Sequence, residues 1–108
     1  ETPVQVLQRF HAFFQEIKRL KGAARIFIVG PLPVNPDLYQ LESNIDIRQV
    51  GQGLRKMSEE AGFRFLDGLD VMGGPMGQLP PDISFDGVHL THRGYVRLAS
   101  LIAPEVKR

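Results

Sequence analysis

Two short, unbroken apolar runs constrain the fold of this chain more than any other feature. Arg25-Ile26-Phe27-Ile28-Val29-Gly30 and Phe63-Arg64-Phe65-Leu66-Asp67 are too short for helices and rich in β-branched and aromatic residues, so each reads as a strand. The first shows no polar alternation, which suits a strand buried on both faces of a parallel sheet. Parallel strands need a crossover between them, and the sequence supplies one.

Three segments with helical periodicity frame the two runs. Thr2 to Leu20 reads as one long helix: Thr2 is an N-cap, Pro3 takes the first helical position and Gln5 completes a capping box. Val6, Leu7, Phe10, Phe13, Phe14, Ile17 and Leu20 recur at the spacing of one buried face, and Gly22 supplies the stop. A second helix starts at Ser43 or Asn44 and runs to Ala61, with Ile47, Val50, Leu54, Met57 and Ala61 inward and Gly62 closing it. Gly51 and Gly53 inside it point to close packing of this helix on the sheet. A last helix runs from Thr91 to Ala103, packed by Val96, Ala99, Leu101, Ile102 and Ala103, with Pro104 at its fraying end. The order α-β-α-β-α implies an α/β layered fold. Two apolar strands make a thin sheet, so more sheet is expected beside them.

The loops carry the proline and glycine. Pro31, Pro33 and Pro36 forbid regular structure between residues 31 and 41, just after the C-terminal end of the first strand. In open α/β sheets that edge is where sites form. Residues 68–81 form a second loop, with room for one helical turn around Leu69 to Met72.

Composition narrows the function classes. The chain has 108 residues, 43% of them hydrophobic, enough for one compact domain. A net charge of +1, with no basic run, gives no reason to propose nucleic acid as a partner. The absence of cysteine excludes a disulfide scaffold, a thiolate metal site and a Cys nucleophile within this chain. No apolar run approaches the ~20 residues of a membrane span. The first residue, Glu1, is not Met, so the chain is read as processed, excised or truncated. Compartment is not legible.

Chemistry concentrates in Phe85-Asp86-Gly87-Val88-His89-Leu90-Thr91-His92-Arg93-Gly94-Tyr95. Asp86 stands three residues before His89, and Gly87 lets the backbone turn so that both side chains project together. A carboxylate accepting from one ring nitrogen leaves the other free as a general base. The same spacing suits a helix-entry loop in which Asp86 only caps backbone N–H groups. Asp86, His89 and His92 also form an Asp-x-x-His-x-x-His series of possible metal ligands, although three such steps across a loop–helix junction need not converge.

The string Asp86 to Thr91, with Gly94-Tyr95, resembles the final block of the SGNH (GDSL-type) hydrolases. The resemblance extends upstream through the long helix, the strand ending Val29-Gly30-Pro31-Leu32-Pro33, the second helix and Phe63 to Asp67, and covers nearly the whole chain. It implies part of a flavodoxin-like three-layer α/β/α sandwich with parallel strands, and a Ser-His-Asp esterase or lipase acting on a small-molecule acyl ester without a cofactor. By resemblance His89 is the general base and Asp86 the residue that orients it. Residues 31–41 and 68–85 would wall the acyl site, lined by Leu32, Val34, Met72, Met76 and Leu79.

The family's Gly-Asp-Ser nucleophile segment, its oxyanion glycine and its Gly-x-Asn-Asp segment are not in this sequence. Ser43, Ser58, Ser84 and Ser100 lie in helices or in the His89 loop, without the strained elbow that exposes a nucleophile. Asn35 follows a later strand than the one expected to carry the oxyanion Asn. The chain is therefore expected to be the C-terminal half of one domain, inactive by itself. Its missing N-terminal half, or a complementary chain, would carry the nucleophile. A non-catalytic α/β module that binds a partner or a carbohydrate is the alternative.

Overall fold

Caps written in the sequence set the helix ends in the computed structural model, which describes residues 2–41, 43–74 and 77–107. Helix α1 (Pro3–Leu20) opens on a reciprocal box. The Gln5 N–H donates to Thr2 Oγ1 at 3.2 Å, and the Thr2 N–H donates to Gln5 Oε1 at 2.9 Å. Strand β1 (Phe27–Val29) follows, then helix α2 (Asn44–Ala61), capped by the Ser43 hydroxyl and closed by Gly62 at φ 79°. Strand β2 (Arg64–Leu66), the single-turn helix α3 (Gly68–Met72) and helix α4 (His92–Val106) complete the order.

The strands pair in parallel, with Phe27, Ile28 and Val29 opposite Arg64, Phe65 and Leu66. Helix α2 is the crossover that parallel pairing requires. The chain is thus α/β with a parallel sheet. Full burial of β1 on both faces is not reached: Phe27 and Ile28 are half-buried and Val29 is 41% exposed. Among the described residues each strand has one hydrogen-bonded neighbour.

Two apolar clusters hold the elements. Phe14, Leu54 and Phe63 join α1, α2 and the approach to β2, with Leu7, Ile17, Val50, Met57 and Phe65 around them. Met72, Leu79, Ile83 and Leu90 form the second, with Leu32, Leu98 and Leu101 against it. The buried stripe of α1 is narrower than its periodicity suggests, because Phe13 and Leu20 are 59% and 65% exposed. Within α4, Val96 is likewise exposed, and Leu98 with Leu101 makes the core contact instead.

Two further expectations are corrected. Gly53 brings α2 against helix α1 rather than the sheet, since a Cβ there would lie 2.5 Å from Leu7 Cδ1. Pro104 does not end α4, which continues to Val106. Tertiary anchors hold that last turn: Arg25 donates to the Val106 carbonyl at 2.7 Å, and Arg64 pairs with Glu105 at 2.6 Å.

Candidate active site

The loop between residues 84 and 90 follows from its own side chains. Ser84 and Leu90 form an antiparallel bridge that closes it. Gly87, at φ 89°, turns the chain at its tip. An L side chain is disfavoured there, and a Cβ would also lie 2.8 Å from the Asn35 carbonyl oxygen and 2.9 Å from Leu38 Cβ. The Asn35 N–H donates to the Gly87 carbonyl at 2.8 Å, so the proline loop and the tip are tied together.

Asp86 uses its two oxygens separately. Oδ1 accepts the backbone N–H groups of Val88 at 3.0 Å and His89 at 2.7 Å. Oδ2 lies 2.6 Å from His89 Nδ1. Backbone capping and ring orientation, alternatives in the sequence, are both realised. The donated bonds hold the Asp86 carboxyl down at about 2: first the His89 N–H, then the His89 ring, then the Val88 N–H. An ionised carboxylate only accepts, so Nδ1 is the donating nitrogen, and in the neutral ring Nε2 is the one that bears the lone pair. The His89 side chain is 71% exposed, and its ring lies roughly parallel to that of Phe85, at 19° and 6.5 Å between centroids.

The loop joins α4 through Thr91. The Thr91 hydroxyl shares its one proton between the carbonyls of Asp82 and Ile83 and accepts the Gly94 N–H, fixing the helix start at His92, three residues beyond His89. Ile83 and Leu90, which flank the loop, belong to one buried apolar cluster with Met72 and Leu79. Of the five residues expected to line an acyl site, Met72, Leu79 and Val34 are 1%, 0% and 3% exposed, and Leu32 packs against the same cluster. The structure gathers Leu32, Met72 and Leu79 into one apolar cluster, which also holds Ile83 and Leu90 at the two ends of the Asp86–His89 loop. Val34 is reached through its backbone, whose carbonyl accepts the Leu79 N–H. Met76 lies outside the described residues.

The serines are occupied elsewhere. Ser43 caps α2, Ser58 donates to the Leu54 carbonyl, and Ser100 donates to the Arg97 carbonyl. Ser84 is buried at 1% exposure and bonds within its own loop. Among the described residues none of these hydroxyls bonds the His89 ring, and no group of three or more His, Cys, Asp or Glu could hold a metal.

Two supporting residues escape sequence reading. The Asn44 side chain pairs bidentately with Val34, accepting its N–H at 2.7 Å and donating to its carbonyl at 2.9 Å. Asn35, 3% exposed, accepts the Asp37 N–H on its side chain. Position inside a proline-rich loop was the only signal for Asn35; Asn44 carried none beyond its place at a helix start.

Comparison with known proteins places this chain in a family. The profile of the GDSL-like Lipase/Acylhydrolase family matches residues 1–97. No curated protein sequence matches. Among solved structures, one described provisionally as a platelet activating factor from Streptococcus pneumonia superposes with TM-score 0.85 at 23% identity, over 95% of this chain and 51% of that one. A peptidoglycan O-acetylesterase gives TM-score 0.79 at 20% identity, over 99% of this chain and 32% of the other. The esterase domain of the ZfL2-1 ORF1 protein from a zebrafish retrotransposon gives 0.69 at 18%, over 99% and 60%. These likenesses establish a shared fold, of which this chain spans between about a third and three fifths of each relative's length. By the family match and the shared fold together, the chain belongs to the GDSL-like lipase/acylhydrolase family of hydrolases.

Proposed function

We propose that this chain is the C-terminal half of an SGNH-type ester hydrolase domain, in which His89 is the general base and Asp86 holds its ring. The observation that carries the reading is the 2.6 Å contact between Asp86 Oδ2 and His89 Nδ1, which turns Nε2 away from the carboxylate. A serine outside residues 1–108 supplies the nucleophile. Its Oγ forms a bond to the acyl carbon while its proton passes to Nε2. Collapse of the tetrahedral intermediate breaks the bond to the alcohol, which takes that proton from Nε2 as it leaves. Water then repeats the sequence on the acyl-enzyme, returning the serine and releasing the acid. Asp86 stays ionised throughout, which keeps Nδ1 protonated. In this reading the cluster of Leu32, Met72 and Leu79, with Val34 bonded to Leu79 through its carbonyl, backs the acyl site.

The test compares p-nitrophenyl acetate hydrolysis by the 108-residue chain and by a polypeptide extended upstream of Glu1. The chain alone is expected to give no serine-dependent turnover, and the extended polypeptide to turn over with His89 required. Turnover by the chain alone that proceeds through an acyl-enzyme on one of its own serines, read by mass spectrometry, would overturn the reading.

A further inference from the structure

The dyad loop contains one buried hydroxyl that the reaction does not use. Ser84 Oγ accepts the Gly87 N–H at 2.9 Å and donates to the His89 carbonyl at 2.7 Å. Those two groups belong to the peptide planes that follow Asp86 and His89. Fixing the first plane sets ψ of Asp86, and fixing the second sets ψ of His89. The two side chains that meet at 2.6 Å therefore have their backbones held from one oxygen. Ser84 itself is 1% exposed; its bond to the Gly87 N–H is buried and its bond to the His89 carbonyl part-buried. These two bonds add to the Asn35–Gly87 tie and the Asp86 Oδ1 bonds in restraining a loop whose His89 side chain is 71% exposed.

We infer that Ser84 is a positioning residue for the Asp86–His89 pair, acting through the peptide planes of Gly87 and His89 rather than by contact with substrate. The inference rests on the dyad reading above. Removing the hydroxyl leaves a buried N–H and a part-buried carbonyl without their partner. The loop must then open to let water reach them, and Asp86 loses its alignment with Nδ1. Ser58 offers the contrast. It is also fully buried, but its hydroxyl donates to the carbonyl of Leu54 one turn back in α2, and no pair of side chains depends on it.

The experiment is long-range 1H–15N correlation of the histidine rings in the 15N-labelled chain, at a pH where the rings are neutral. In the wild-type chain His89 is expected as the Nδ1–H tautomer, with a low-field Nδ1 proton. Ser84→Ala is expected to lower the ratio of Nδ1–H to Nε2–H forms roughly five- to tenfold. Ser84→Thr, which keeps the hydroxyl, restores it, and Ser58→Ala leaves it unchanged. A wild-type ring in the Nε2–H form would sink the dyad reading itself. A wild-type ring in the Nδ1–H form that Ser84→Ala does not disturb would sink only the positioning role. Should Ser84→Ala fail to fold, the Gly87 amide of the wild-type chain decides. Slowed hydrogen exchange supports the clamp, and exchange at the free-peptide rate contradicts it.

Discussion

Asp86 and Gly87 set the loop at the scale of single residues. The Asp86 carboxyl is held at about 2, below the ~3.9 of an unfolded Asp, by bonds that form only in the folded loop. A lowered native value means that the stability from these bonds is fully present above the ordinary carboxylate range. It is lost as pH falls through about 2. A carbon-detected titration is expected to find the Asp86 midpoint near 2, and a midpoint near 4 would mean that the loop does not hold the carboxylate. Gly87→Ala places a Cβ at positive φ and against the Asn35 carbonyl. It is expected to destabilise the chain by roughly 2–4 kcal/mol in urea titration. The Asp86–His89 contact was readable because its residues stand three positions apart in a block that resembles the family's last one; spacing alone also suited a plain helix-entry loop. Ser84, Asn35 and Asn44 were not readable as its supports, because side-chain bonds to backbone leave no periodicity and Asn35 reaches the loop across 52 positions.

Among the elements, the caps and the two apolar runs were legible because each depends on neighbours within four residues. The three helix starts, the αL stop at Gly62 and the parallel strand pair follow from them directly. The end of α4 was not legible, since distant Arg25 and Arg64 hold it past Pro104. The partner of Gly53 was hidden for the same reason. This yields a paired prediction. A Cβ at Gly51 meets nothing nearer than 3.7 Å, so Gly51→Ala is expected to stabilise by about 0.5–1 kcal/mol through helix propensity. At Gly53 the same gain is outweighed by the overlap with both Leu7 methyls, and Gly53→Ala is expected to destabilise by about 1 kcal/mol. Thermal melts of the two variants should move in opposite directions.

Taken whole, the molecule is a slab rather than a sphere. It measures 41 × 33 × 18 Å with a radius of gyration of 14.6 Å, against about 13 Å for a compact domain of this length. Its surface is 7111 Å², where a compact 12.1 kDa monomer exposes about 6,000 Å². Part of the excess is apolar: Val6, Phe10 and Phe13 of α1 line an open groove of about 350 Å³, and Val29 lies at the end of β1. This shape supports the proposal that further sheet and helix complete the domain, as the alternation of strands and helices led one to expect. The central claim is that His89 activates a serine supplied by that completion. The direct measurement is the rate of fluorophosphonate labelling of a polypeptide extended upstream of Glu1, with and without His89→Ala. One serine outside residues 1–108 is expected to label, with the variant slower by roughly 10³-fold or more. Equal rates for the two proteins, or labelling of the 108-residue chain by itself, would contradict the claim.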